Sequence, residues 1–379
     1  MTAFQFSTTR SLLCEPGASR QIGERALALG MARPLLVTDA GVLAAGILEA
    51  ALESLRSAGQ TVAVYSDVVA DPPDHIIGDA LSAARTHQCD GVIGLGGGSA
   101  MDTAKLVALL IRSPQSLSNA YGVGNAKGDR LPLIQVPTTA GTGSEVTPIA
   151  IVTTGETTKA GVVAPQLLPD LAVLDAELTV GLPPAVTAAT GIDAMVHAIE
   201  AYTSRHRKNP YSDMLAREAL RLLSGAIETA VKQGQNIAAR NDMLLGAMLA
   251  GQAFANAPVA AVHALAYPLG GIYHLPHGLS NALVLPHVMR FNQPEADHLY
   301  RELAPLVLPD QSTSTDDLIE FLADQTAELG LPDRLRDADI PRDAISRLAQ
   351  DAMQQQRLLV NNPREVTEAD ARAIYEAAW

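Results

Sequence analysis

The sequence predicts an α/β segment with a parallel sheet over residues 1–180, followed by an all-α segment over residues 181–379. Three observations carry that expectation. Short β-branched runs alternate with amphipathic helical stretches from Pro34 to about Thr179, as in a parallel sheet covered on both faces. After Leu182-Pro-Pro184 the strand signals stop and helical periodicity takes over. The length of 379 residues suits two domains, at roughly 150 residues per domain.

Taken in chain order, the first clear strand is Pro34-Leu-Leu-Val-Thr38. Gly41 to Gly59 then carries Leu43, Ile47, Leu52 and Leu55 at helical spacing, so these four are expected on one buried face. Thr61-Val-Ala-Val-Tyr65 and Gly91-Val-Ile-Gly-Leu95 read as further strands, with a helix over Ser99–Ile111 behind a glycine-rich turn. Ser113 to Leu131 is expected to be the longest irregular loop, and Leu131-Pro-Leu-Ile-Gln-Val136 returns to the sheet. In the second half helices are expected over Pro184–Thr203, Pro210–Lys232, Ala238–Ala257 and Ser314–Gly330.

Composition narrows the function classes. Hydrophobic residues make up 47% and charged residues 18%, which argues against disorder. The formal charge of −14 would repel a phosphate backbone, and no local basic patch offsets it, so small ligands are expected rather than nucleic acid. Cys14 and Cys89 are too few for a disulfide framework or a thiolate metal cluster, which points to a reducing cytoplasm. Met1 to Cys14 lacks the basic and apolar segments of a signal peptide. From Met243 to Met289 there is no Asp, Glu, Lys or Arg in 47 residues. Gln252, Asn256, Pro258, His263, Pro268, His274, Pro276 and His277 interrupt every window long enough to span a bilayer, so the run reads as protein interior, not membrane.

Two strand-end loops carry ligand chemistry. Leu95-Gly-Gly-Gly-Ser-Ala-Met-Asp-Thr-Ala-Lys105 follows a strand and opens a helix, so its backbone amides form a phosphate cradle, and the missing side chains at Gly97 and Gly98 let a diphosphate approach. Such a cradle would suit the diphosphate of a nucleotide cofactor. Asp39, at the end of the first strand, can accept from ribose hydroxyls and repel a 2′-phosphate, which favours NAD over NADP; a helix N-cap is the alternative. That acid precedes the glycines, which departs from the usual dinucleotide fingerprint. Pro137-Thr-Thr-Ala-Gly-Thr-Gly-Ser-Glu-Val-Thr147 offers Thr138, Thr139 and Thr142 to the same ligand, or forms a plain turn.

A metal constellation follows. Asp193 and His197 are four apart on one helix and so share a face. His263, His274, His277 and His287 all lie within the chargeless run, where a buried imidazole needs a partner. Three imidazoles and a carboxylate suit Fe(II) or Zn(II), although spacing alone leaves open which histidines are ligands.

Together these motifs resemble the iron-containing (group III) alcohol dehydrogenase family along nearly the whole chain. The matching segments are Gly96 to Asp102 with Lys105, Pro137 to Thr147, Gly191 to Tyr202, His263 through Pro276-His277-Gly278, and Asn362-Pro-Arg364. The resemblance implies a dehydroquinate-synthase-like architecture, with an α/β dinucleotide-binding domain over residues 1–180, a helical metal-binding and catalytic domain over residues 181–379, and a metal in the cleft between them. It implies Asp193, His197, His263 and His277 as metal ligands. NAD contacts are implied at Asp39, Asp71, Gly97, Gly98, Ser99, Thr138, Thr139, Thr142, Lys159 and Thr179. Family members often have Asn at the position of Asp71, and many carry a histidine where this chain has Tyr267. A proton relay is expected to use Tyr267 or His274. The implied activity is hydride transfer between NAD and a small alcohol, diol or hydroxyacid, in a homodimer. Alternatives are a dehydroquinate-synthase-like NAD- and metal-dependent lyase, which should need basic residues for an anionic substrate, a hydroxyacid-oxoacid transhydrogenase, and a non-catalytic interaction protein. Asp193 and Ser99 to Asp102 count against a maleylacetate reductase.

Overall fold

The computed structural model describes residues 3–155, 158–308 and 312–379. The chain divides into two compact units. Thr8–Thr139 with Gly143–Gly181 forms one, and the residues up to Ser7, Ala140–Thr142 and Leu182–Trp379 form the other. The division after Gly181 is therefore crossed twice, by the N-terminal residues and by three residues of the threonine-rich loop.

Among the described residues the first unit is built on nine strands: β1 (Ser11–Cys14), β2 (Pro34–Asp39), β3 (Ala63–Val68), β4 (Gly91–Gly96), β5 (Gly122–Val123), β6 (Leu133–Pro137), β7 (Ile149–Thr154), β8 (Thr158–Val163) and β9 (Leu171–Leu174). Six of them make a parallel sheet in the order β1-β9-β6-β4-β2-β3. Central β4 is buried along its whole length, and Leu35, Val37, Val92 and Leu133 face one core while Leu36, Ile93, Ile134 and Val136 face another. A sheet covered on both faces explains why its strands read as unbroken apolar runs. At Gly94 an added Cβ would lie 2.1 Å from Gln135 Oε1 and 2.8 Å from the Ala104 methyl, so this glycine lets the helix Gly98–Leu110 pack directly on β4.

Two expectations need correction, and one feature was not expected. The stretch Gly41 to Gly59 is two helices, Ala40–Ala44 and Glu49–Ser57, broken where Gly46 takes φ of 70°; Leu43 consequently points outward and is 42% exposed. The loop from Ser113 to Leu131 contains a short helix, Leu117–Ala120, and strand β5. A second sheet, β5-β8-β7, pairs β7 with β8 in antiparallel fashion, which a short connection permits and a parallel pair would not.

The second unit centres on the helix Pro184–Thr203, buried almost all round, against which Pro210–Lys232, Ile237–Asn256 and His277–Val307 pack. Ala261–Tyr273 and Thr315–Glu328 lie on the last of these. The His277–Val307 helix runs through Pro286, Pro294 and Pro305. Among the described residues no single helix is long and apolar enough to cross a membrane; the bent pair Ile237–Asn256 and Ala261–Tyr273 meets the length and composition limits, but its apolar residues are buried among the neighbouring helices.

Candidate metal centre

Three helices of the second unit converge on one point. Pro184–Thr203 contributes Asp193 and, one turn on, His197; Ala261–Tyr273 contributes His263; His277 begins the third helix. One ligand atom from each of these four residues lies within 4.8 Å of the others, a spacing that could hold a metal ion. The His197 and His263 rings stack at 4.7 Å, His263 and His277 meet at 5.3 Å, and Phe254 covers the outer face of His197 at 4.4 Å. Asp193, His197 and His263 are buried, whereas the His277 side chain is 40% exposed, so the cluster opens to the exterior beside it.

The surroundings select the protonation states that a cation needs. Burial lowers His197 to about 3, with Asp193 opposing only in part, so this imidazole is neutral. Burial also works to raise Asp193; the balance with its ring neighbours and the Asn281 amide, which donates to Oδ1, leaves this carboxylate below its ordinary value. Nε2 of His277 and Nε2 of His263 lie 3.6 and 4.0 Å from Asp193 Oδ1. One carboxylate and three imidazoles fit a divalent transition metal. Asn281 adds a second sign: its Nδ2 donates to Asp193 Oδ1 at 2.6 Å, while its Oδ1 is buried with no hydrogen-bond partner.

The relay candidates separate. Tyr267, one turn after His263 and half-buried, sets its ring 6.0 Å from that of His277. His274 is exposed and ends its helix in the left-handed region at φ of 56°, its backbone N–H donating to the Gly270 carbonyl. His287 lies outside the cluster, and burial lowers it to about 4.

The expected cofactor residues fall mainly in the sheet unit. Gly97 is the N-cap of Gly98–Leu110 and supplies no side-chain cap, leaving the amides of the first turn, Ser99 included, to an incoming ligand. A Cβ at Gly97 would project to within 3.8 Å of Thr139 Oγ1. The Thr138 N–H donates to the Gly96 carbonyl at 3.0 Å, which holds β4 and β6 ends together. Asp39 caps the next helix through the Val42 N–H at 2.9 Å, using Oδ1, while Oδ2 lies beside Gly96. Asp71, at φ of 52°, forms an ion pair with Lys159. Thr179 is buried, its hydroxyl donating to the Ala176 carbonyl at 2.9 Å. Thr142 belongs to the helical unit, where its neighbour Gly141 sits so close to Thr190 that a Cβ would come within 2.9 Å.

Sequence reasoning missed three outer residues. Glu200 accepts from the Val262 N–H and sets its other oxygen 2.6 Å from His263 Nδ1, and Asn281 holds Asp193. Lys105, fully buried, donates to Ser144 Oγ at 2.7 Å and the Ile149 carbonyl at 2.6 Å and pairs with Asp102 at 3.6 Å, pinning the threonine-rich loop's far end to the glycine-turn helix. Its signal was present: a charged pair three residues apart on an otherwise apolar helix.

A parallel sheet with an open helix N-terminus over its strand ends, and a cluster of three histidines and one aspartate in a helical unit, fit the class of metal-dependent enzymes that use a nucleotide cofactor. Residues 9–176 match the family described as iron-containing alcohol dehydrogenase, and residues 187–379 match the C-terminal part of the Fe-containing alcohol dehydrogenase family. Long-chain-alcohol dehydrogenase 1 of Geobacillus thermodenitrificans is 43% identical over 371 residues, covering 96% of this chain and 93% of the relative. The 1,3-propanediol dehydrogenase of Klebsiella pneumoniae is 36% identical, covering 96% of each chain. A crystal structure of 1,3-propanediol oxidoreductase superposes with a TM-score of 0.96 at 35% identity, covering 100% of both chains. The chain belongs to the iron-containing alcohol dehydrogenase family, as its motifs implied, and is an alcohol dehydrogenase and aldehyde reductase.

Proposed function

We propose that the enzyme interconverts a small neutral primary alcohol or diol and its aldehyde, using NAD in preference to NADP and one divalent metal, Fe(II) or Zn(II), held by Asp193, His197, His263 and His277. The observation that carries this reading is the convergence of those four ligand atoms within 4.8 Å. When bound, the metal polarises the substrate C–O bond and the nicotinamide accepts or returns the hydride. The chain's own part is to bind, orient and move a proton. The amides at Gly97, Gly98 and Ser99 hold the diphosphate; Thr138, Thr139, Thr142 and Thr179, with the paired Asp71 and Lys159, supply the remaining contacts; Asp39 meets the ribose with the carboxylate oxygen that its capping bond leaves over. The Tyr267 hydroxyl, or the exposed His274 imidazole, passes the alcohol proton to water. The absence of Asp, Glu, Lys and Arg from Met243 to Met289 supports a neutral substrate, as do relatives named for a long-chain alcohol, 1,3-propanediol and lactaldehyde. The two isolated cysteines support a cytoplasmic enzyme, and the family resemblance supports a homodimer.

The decisive experiment loads the purified protein separately with Fe(II) and Zn(II) and follows NADH or NADPH formation with a panel of alcohols. His263→Ala and His277→Ala are expected to lose bound metal and at least a thousandfold in rate together, on the order of the several kcal/mol that a Lewis acid contributes. A folded variant that is metal-free and fully active overturns the assignment.

A further inference from the structure

We propose that Glu200 is a positioning residue that holds His263 with its proton on Nδ1, so that Nε2 presents its lone pair to the metal. This rests on the metal reading above and assigns a role to a residue outside the four ligands. Glu200 lies two turns beyond Asp193 on the same helix and is 3% exposed. Its two carboxylate oxygens are both engaged: Oε1 accepts the Val262 N–H at 2.7 Å and Oε2 stands 2.6 Å from His263 Nδ1. An ionised carboxylate can only accept, so the imidazole must donate from Nδ1. A neutral ring then has its remaining lone pair on Nε2, the atom that faces Asp193. Among the described residues no Lys or Arg side chain bonds Glu200.

The rival role is purely local. Ala260, the N-cap of Ala261–Tyr273, makes no side-chain cap, and Glu200 satisfies one amide of that helix's first turn. Glu200→Gln separates the two roles, because its amide oxygen can still accept from Val262 while its amide nitrogen turns a donor toward Nδ1, which favours the wrong tautomer. The metal-free protein and its E200Q variant are titrated with Zn(II) against a chromophoric chelator, alongside far-UV circular dichroism and NADH fluorescence. The expected result is a dissociation constant for Zn(II) raised roughly 10- to 100-fold in the variant, with the spectrum and NADH binding unchanged. Equal affinity in the two proteins overturns the role of Glu200 and leaves the metal centre standing; wild-type protein that takes up no Zn(II) overturns the metal centre itself. Imidazole ¹⁵N spectra of the wild-type metal-free protein decide the matter should E200Q fail to fold: a His263 proton on Nδ1 supports the proposal, and one on Nε2 overturns it.

Discussion

Glu145 is a buried carboxylate that the ligand chemistry does not use. It is 2% exposed in the turn Ser144–Val146, and burial raises it from 4.5 to about 7 against the pull of its own backbone hydrogen bond and of Lys105. A carboxyl whose folded-state pKa lies above its unfolded value is protonated more readily in the folded state. Its folded state is favoured most below about 4.5, and that advantage disappears as pH rises through about 7. Glu145→Gln, which cannot ionise, is therefore expected to be more stable than the parent at pH 8 by up to about 3 kcal/mol and equal to it near pH 4.5. Urea unfolding at the two pH values checks this; a gain of the same size at both is against it. Asp193 and His197 were legible as a pair because helical spacing puts them on one face, whereas the choice of His263 and His277 over His274 and His287 was implied only by the family resemblance. Glu200 and Asn281 were not legible, since the atoms they hold lie 63 and 88 residues away and meet them only through helix packing. Asp39 is a helix N-cap through one oxygen, the alternative reading offered for it, and its other oxygen lies at the glycine turn.

Elements whose periodicity was unbroken were legible to within a residue or two, as with Pro184–Thr203, Pro210–Lys232 and β4. Those that broke a local rule were not: β1 is four residues long, and His277–Val307 contains three prolines that sequence reasoning treats as stops. What positions that last helix is a glycine. A Cβ on Gly278 would lie 2.2 Å from the Ala189 carbonyl oxygen and 3.3 Å from Asp193 Cβ, so the two helices touch through backbone where the ligands meet. The Ala189 carbonyl is backbone and cannot swing aside as a side-chain tip would. Gly278→Ala is expected to push the first turn of His277–Val307 off Pro184–Thr203, costing roughly 1–3 kcal/mol as overpacking does and moving His277 out of ligand distance. Elemental analysis with a thermal scan reads both effects; a variant with full metal content and an unchanged midpoint would show that the helices yield without separating.

For the molecule as a whole, charge and chemistry occupy different places. The net charge of −14 is compatible with a stretch of 47 residues carrying none, because that stretch supplies His263, His277 and the walls around them. All four ligand residues belong to one compact unit, and the glycine turn belongs to the other. A ligand stabilises only what it binds, by about 2.7 kcal/mol when present at a hundred times its dissociation constant. Metal should therefore deepen the stability of the helical unit, whereas the parallel sheet keeps its own cores on both faces. Hydrogen exchange on the protein before and after chelation is expected to show amides of Pro184–Thr203, Ala261–Tyr273 and the start of His277–Val307 exchanging faster once metal is removed, with β2, β4 and β6 unchanged. If the strand amides lose protection in step with the helices, the two units open as one cooperative body, and metal occupancy governs the fold of the entire chain instead of half of it.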